Sequence, residues 1–259
     1  GFAFNPAPVP EVSLTVEATG ETAGCKLNAT AGTFTYDGIK ARNMTDKFVV
    51  TLYNAEGKQI SVNYGRTVED YILTLFNGAS ATAEAKTVYV DLLNYGAAAQ
   101  KHFGYMTGAL ANRALTEEMQ AYATSDENAP KVNKTSKSGV VGGTSVQVKD
   151  KIYTTFLFAN SSLTGKNAAK VVVTYTKNNA DKTVVTKEVA VAELEVNNAS
   201  SKKLVVDDAA IADCSNPITV TVYDADGNVV GSAVDCVYYY ASRQTSDANG
   251  IFAALRKLI

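Results

Sequence analysis

The sequence has little of the chemistry on which many enzymes depend. It contains no tryptophan, one histidine and three cysteines among its 259 residues. A site built on several histidines is excluded, a four-cysteine zinc site lacks a ligand, and any Ser-His-Asp arrangement must use His102. No nucleophile motif precedes His102, so we expect this side chain on the surface of a helix. Cys25 has no evident partner, and we expect it to be a small core residue.

Charge of neither sign is in excess. The 24 Lys and Arg residues stand against 26 Asp and Glu residues, which leaves a net charge of −2. Nucleic-acid binding depends on positive charge that replaces counterions, so we expect no nucleic-acid partner. No hydrophobic run approaches the roughly 18 residues of a membrane span, so we expect no direct membrane insertion. The hydrophobic fraction of 46% argues against disorder, and the length suits one or two domains.

Motifs for catalysis and cofactor binding are weak. The glycine-rich residues 139–145 lack the lysine of a phosphate-binding loop, and no pair of carboxylates marks a glycosidase site. Asp224, Asp226 and Asn228 resemble the opening of a calcium loop, but Asp235 stands where that loop needs a glutamate. An Asp-Gly hairpin turn explains these residues better. We therefore predict a protein that is not an enzyme and has no cofactor and no metal.

An internal repeat is the most informative feature. Residues 51–57 read TLYNAEG and residues 221–227 read TVYDADG, an offset of 170. After each segment come a tyrosine-bearing stretch and an amphipathic helical pattern. We infer a tandem duplication, and we expect the second copy to end inside its helical part.

Periodicity predicts the fold class. Period-2 alternation indicates strands in both copies, and helical spacing follows the strands of the first copy. Thr82 is predicted to cap a long helix and Thr116 a short one. We predict an α+β fold with two tandem β-rich, sandwich-like modules, the first followed by a small helical bundle. The predicted divisions are a β-rich module with its bundle over residues 1–124, a polar linker over 125–144, and a second β-rich module over 145–259 that ends in a truncated helix.

Two cysteines flank the second hairpin. If Asp224–Gly227 forms the turn, Cys214 and Cys236 face each other across the ladder, at a separation that a disulfide accepts. The first copy has Met44 and Arg66 at the matching positions, so both cysteines are absent there together. A disulfide and a buried pair of thiols both remain open.

Tyrosine dominates the aromatic residues, with 14 Tyr against 9 Phe. Tyrosine is enriched where proteins bind proteins, and hairpin tips on a rigid scaffold often supply contacts. Three consecutive tyrosines follow the second hairpin. On a strand at least one of them would be exposed, and the alternative is that they close the core where strand meets helix. The candidate binding residues are Tyr238, Tyr239, Tyr240, Asn54, Glu56, Asp224, Asp226 and Asn228.

Two segments together resemble a known module. They are the hairpin VTVYDADGNVV over Val220–Val230 and the octet LNYGAAAQ over Leu93–Gln100, which Phe103 follows. They resemble a module that recurs in very large, exported cell-surface proteins of anaerobic gut Firmicutes. The octet is the specific part, and only the first copy contains it. The resemblance implies an extracellular or cell-surface location.

The resemblance also suggests a function. Some such proteins resemble immunoglobulin-binding superantigens of gut commensals, and others accompany polysaccharide-degrading systems. We expect a non-catalytic binding module whose partner is a host protein such as immunoglobulin. A carbohydrate-binding module that takes polysaccharide is the alternative, and the missing tryptophan argues against it because indole is the usual sugar platform. A structural spacer in a long surface protein is the third reading.

Overall fold

The computed structural model describes residues 2–3, 11–16, 22–24, 26–28, 33–36, 38–60, 64–125, 127–128, 133–149, 151–207, 213–244, 247 and 249–259. The chain divides into two units, residues 1–124 (unit 1) and residues 125–257 (unit 2). Cys25, for which we expected a core position, lies outside the described residues. Within the described part, no helix is long and apolar enough to cross a membrane.

Unit 1 begins with short strands. They are β1 (Phe2–Ala3), β2 (Glu11–Val16), β3 (Thr22–Gly24), β4 (Lys26–Asn28), β5 (Thr33–Thr35), β6 (Phe48–Tyr53) and β7 (Tyr64–Arg66). All their pairings are antiparallel. One sheet has the order β1-β5-β4, and the other has the order β3-β2-β6-β7.

Three helices follow the sheets of unit 1. They are α1 (Val68–Phe76), α2 (Ala83–Phe103) and α3 (Glu117–Gln120). Each begins after a threonine whose hydroxyl oxygen accepts a hydrogen bond from the backbone N–H three residues later. Such a cap stabilises a helix by about 1 kcal/mol. The caps predicted at Thr82 and Thr116 are confirmed, and Thr67 caps α1 in the same way.

The octet of α2 holds the helical bundle together. A Cβ at Gly96 would lie 2.4 Å from the Met44 sulfur and 3.1 Å from the Ala111 methyl group, so glycine permits this close approach. The side chain of Gln100 is fully buried. It accepts a hydrogen bond from the Ala111 N–H at 2.7 Å and donates one to the Thr45 hydroxyl at 2.8 Å. The octet therefore fixes α2 to the turn before β6 and to the loop after α2.

Among the residues that the structure describes, unit 2 has more strand residues than unit 1. Its strands are β8 (Ser136–Gly139), β9 (Val141–Val148), β10 (Ile152–Ala159), β11 (Ala168–Thr176), β12 (Val184–Ala190), β13 (Glu195–Asn198), β14 (Ser201–Val206), β15 (Ile218–Asp224) and β16 (Val229–Asp235). Its helices are α4 (Asn160–Gly165), α5 (Val237–Arg243) and α6 (Ile251–Leu258). One antiparallel sheet has the order β12-β11-β15-β16-β8, and the other has the order β13-β14-β10-β9.

The two sheets of unit 2 enclose one hydrophobic core. Phe156 and Phe158 of β10 contribute from one sheet, and Val171, Val173 and Val220 contribute from the other. These residues alternate along their strands, so each strand presents one face to the core. Each such side chain stabilises the fold by about 1.5–3 kcal/mol when fully buried. The predicted α+β class with sandwich-like sheets is confirmed.

The linker predicted over residues 125–144 is wrong in its second half. Residues 136–139 form β8 and residues 141–148 begin β9, and these strands belong to different sheets. Gly139 makes this crossing possible with a φ of 58°. A Cβ at Gly139 would lie 2.0 Å from the carbonyl oxygen of Val230. Gly139 therefore permits a close approach between β8 and β16.

Candidate binding surface

The first hairpin ends in a turn built by Asn54. Its side-chain oxygen accepts hydrogen bonds from the N–H groups of Glu56 at 3.0 Å and Lys58 at 2.9 Å. Its carbonyl oxygen accepts one from the N–H of Gly57 at 2.9 Å. Gly57 has a φ of 75°, the left-handed region that glycine adopts without strain. We call residues 54–60 tip 1.

The second hairpin ends in the same turn, built by Asp224. Its carboxylate accepts hydrogen bonds from the N–H groups of Asp226 at 3.0 Å and Asn228 at 2.8 Å, and its carbonyl oxygen accepts one from Gly227 at 3.2 Å. The N–H and side-chain amide of Asn228, with the other turn N–H groups, lower the pKa of the Asp224 carboxyl. Gly227 has a φ of 86°. We call residues 224–230 tip 2.

Both tips expose a carboxylate and an aliphatic side chain. In tip 1 these are Glu56 and Ile60, and in tip 2 they are Asp226 and Val229. Ile60 is 44% exposed and Val229 is 59% exposed. The hydrogen bonds of the two turns match at the offset of 170, and both surfaces therefore rest on a turn that is fixed in the same way.

The candidate tip residues fall into two groups. Asn54 and Asp224 use their side-chain oxygens to hold their own turns, and the amide of Asn228 donates to the Asp224 carboxylate at 3.2 Å. Glu56 and Asp226 lie within the turns and their side chains are exposed. Sequence reasoning did not single out Ile60 and Val229, although an aliphatic residue just after a polar turn was a signal that could have found them.

The three consecutive tyrosines lie on a helix and not on a strand. They belong to α5, which begins after Cys236 because the sulfur of Cys236 accepts a hydrogen bond from the Tyr239 N–H at 3.4 Å. Tyr239 is buried, which raises its pKa, and Tyr238 and Tyr240 are half-buried. The Tyr240 ring packs edge-on against the Phe252 ring, with the ring centroids 5.4 Å apart. The tyrosines therefore close the core where strand meets helix.

A buried ion pair anchors α5. Arg243 donates to both oxygens of the Asp235 carboxylate, at 3.0 and 2.5 Å, and the Asp235 side chain is fully buried. The hydroxyls of Thr135 and Thr144 and the N–H of Cys236 also donate to this carboxylate. Every oxygen of Asp235 is thus engaged, which is how a buried charge is tolerated.

The predicted register of the second hairpin is also wrong. Ile218 pairs with Asp235, and a bulge follows Val222 on the way to the turn. Cys236 therefore lies one residue beyond β16, and Cys214 lies in the turn before β15. Both are buried and both carry thiols in this structure.

Three other features could mark a functional site: the histidine, a group of metal ligands and a cavity. His102 is exposed on α2, as predicted, with its ring edge-on to Phe103 at 4.9 Å. Among the residues that the structure describes, no three His, Cys, Asp or Glu side chains are grouped to hold a metal. A cavity of about 100 Å³ lies in unit 2, below the roughly 300–1,000 Å³ of typical small-molecule sites. It is lined by Val173, Tyr175, Val185, Lys187, Leu204, Val205, Val206 and Asp207.

Comparison with known proteins assigns the chain to no family. No protein-family model matches the sequence, and no curated protein matches it.

Proposed function

We propose that this chain is a non-catalytic cell-surface binding module whose partner is a host protein such as immunoglobulin. The observation that carries the proposal is the pair of hairpin tips. Each tip presents an exposed carboxylate and an exposed aliphatic side chain on a turn fixed by the same hydrogen bonds. The resemblance of the octet and hairpin to exported surface modules supplies the location and the class of partner.

The fixed turns favour binding. Because Asn54 and Asp224 already hold their turns, little conformational entropy remains to be lost when Glu56 or Asp226 meets a partner. An exposed aliphatic side chain such as Val229 can fill an apolar pocket, and the exposed carboxylate of the same tip can pair with Arg or Lys of the partner. Two tips on one chain also allow two weak contacts to act together.

Buried carboxylates elsewhere have structural partners, which supports a non-catalytic role. Asp235 is held by Arg243, and Asp91 accepts hydrogen bonds from the N–H of Thr124 at 3.1 and 3.3 Å. Glu69 forms an ion pair with Arg113 at 3.3 Å. The oxygens of these carboxylates are thus engaged by partners within the fold.

Interferometry against polyclonal immunoglobulin tests the proposal. We expect binding at micromolar concentration or tighter, and we expect Glu56→Lys combined with Asp226→Lys to weaken it by at least about tenfold. The matched control is Glu118→Lys combined with Glu193→Lys, which makes the same change of charge at exposed positions outside the tips.

Two results would contradict the proposal. One is an absence of binding at tens of micromolar, and the other is equal weakening by the control pair, which would indicate nonspecific electrostatics. Affinity electrophoresis on soluble polysaccharides distinguishes a carbohydrate-binding module, which would be retarded in the gel. A structural spacer would bind in neither assay.

A further inference from the structure

Two buried thiols lie at the base of the second hairpin. The carbonyl oxygen of Cys214 accepts a hydrogen bond from the Tyr238 N–H at 3.0 Å. The sulfur of Cys236 lies 3.7 Å from the carbonyl oxygen of Ser215. Both contacts join the same two short segments, the turn before β15 and the first turn of α5. The two cysteines are therefore close neighbours although 21 residues separate Ser215 from Cys236.

Unit 1 has a similar junction between a turn and the first turn of a helix, but without thiols; we call such a junction a joint. The carbonyl oxygen of Met44 accepts a hydrogen bond from the Glu69 N–H at 3.0 Å, as Cys214 does from Tyr238. Thr67 caps α1, as Cys236 caps α5. The sequence alignment at a constant offset had matched Cys236 with Arg66, whereas the caps match it with Thr67. At this joint, unit 2 thus has cysteine at both of the positions where unit 1 has methionine and threonine.

We propose that Cys214 and Cys236 form an intramolecular disulfide when the chain folds in the presence of a small-molecule disulfide oxidant. One thiolate attacks the oxidant RSSR, which forms a mixed disulfide and releases RS⁻. The second thiolate then attacks the mixed disulfide, which closes the protein disulfide and releases a second RS⁻. The two protons of the cysteines pass to the two released thiolates, so two protein thiols are oxidised and one RSSR is reduced to two RSH.

Burial decides when this exchange takes place. Burial first, and then a neighbouring Cys236 thiolate, raise the pKa of Cys214 to about 12. Burial raises the pKa of Cys236 to about 11. Since the thiolate is the nucleophile, both groups react slowly once the fold is complete. The bond forms during folding, and the finished fold then shields it from reductants.

The disulfide closes a loop of about 20 residues that contains the whole second hairpin. In the chain-entropy account, such a loop lowers the unfolding equilibrium constant of unit 2 by about 100-fold or more. It also ties the strand that leads to tip 2 to the helix that follows the hairpin.

Oxidative refolding tests the proposal. The chain, with Cys25→Ser so that two cysteines remain, is refolded with oxidised and reduced glutathione and then alkylated in denaturant. We expect no alkylation at either position and a mass lower by two hydrogens. Trypsin leaves both cysteines on one peptide, so cleavage before aspartate, at Asp224 and Asp226, is needed to show two peptides joined by a bond. The wild-type chain, mapped in parallel, gives the same cross-linked pair.

A second measurement separates the disulfide from any effect of substitution. Reduction by dithiothreitol in mild denaturant should lower the Tm of the oxidised protein by roughly 10 °C. Cys236→Ser keeps an N-cap acceptor, and its Tm should not respond to dithiothreitol. Two alkylated thiols after oxidative refolding would overturn the proposal, as would glutathione adducts or a covalent dimer in place of the internal bond.

Discussion

The ion pair between Arg243 and Asp235 offers the sharpest test of how α5 is held. Arg243→Ala removes the two guanidinium nitrogens that donate to Asp235, and it leaves the Asp235 carboxylate fully buried. It also removes the guanidinium that stands 4.6 Å from the centre of the Tyr240 ring. We expect the free energy of unfolding of unit 2 to fall sharply.

The magnitude follows from what remains around the carboxylate. Removing one partner of a buried ion pair costs about 3–5 kcal/mol. Asp235 keeps the hydroxyls of Thr135 and Thr144 and the N–H of Cys236 as donors, so the loss of the ion pair belongs near 3 kcal/mol. The lost contact with Tyr240 adds roughly 0.5–1 kcal/mol. We therefore expect a total of about 3–4 kcal/mol.

Urea unfolding followed by circular dichroism and tyrosine fluorescence measures this change. The two units are fitted as separate transitions, because a single two-state fit is not justified for two domains. Arg66→Ala is the matched control in unit 1, where the guanidinium donates to the exposed Thr74 hydroxyl at 2.8 Å. It should cost less than about 1 kcal/mol.

A second substitution identifies the cause of the loss. Asp235→Asn in the Arg243→Ala background removes the unpaired charge, and it should recover about 1–2 kcal/mol. A loss below about 1 kcal/mol for Arg243→Ala alone would refute the reasoning. So would a double variant less stable than Arg243→Ala, since the cost would then not come from the buried charge.

Three further changes test other parts of the fold. In urea unfolding, Gly139→Ala should destabilise unit 2 by at least about 2 kcal/mol, because the new Cβ meets the Val230 carbonyl. The control is Gly227→Ala, which is also at positive φ but in open space, and it should cost about 1 kcal/mol. Gln100→Ala should cost unit 1 about 3 kcal/mol, because it leaves buried polar groups unsatisfied. Glu69→Gln should stabilise unit 1 at neutral pH, because burial raises the pKa of Glu69 and disfavours its ionised form. Titration of stability should show this gain vanishing as the pH falls towards the ordinary glutamate pKa of 4.5, and a gain that grows at low pH would contradict it.

Features set by neighbouring residues could be predicted from the sequence. The caps at Thr82 and Thr116 depend only on a hydroxyl and an N–H three residues later. The turns of both hairpins likewise depend on Asn54 or Asp224 and the glycine three residues on. Each of these is a local contact, so a single sequence contains what is needed to infer it.

Features set by tertiary packing were missed. The bulge after Val222 shifts the hairpin register, and nothing in the local sequence fixes where a ladder admits an extra residue. Tyr238–Tyr240 have strong strand propensity, yet the Cys236 cap and the Asp235–Arg243 pair hold them in a helix. Their intrinsic strand propensity is therefore outweighed by tertiary contacts, which form only when the sheet is assembled.

The joint between hairpin and helix shows how one architecture can be built with different chemistry. In both units an arginine stands over a tyrosine of the helix, Arg66 over Tyr71 at 4.9 Å and Arg243 over Tyr240 at 4.6 Å. In unit 1 the arginine is on the strand and meets a neutral hydroxyl in an exposed setting. In unit 2 the arginine is on the helix and meets a buried aspartate. Because the strand position is cationic in one unit and anionic in the other, moving either arginine alone into the other unit would create a like-charge pair or an unpaired carboxylate. Loss of the single charge of Arg243 should therefore destabilise unit 2 strongly, whereas loss of the Arg66 charge should affect unit 1 little.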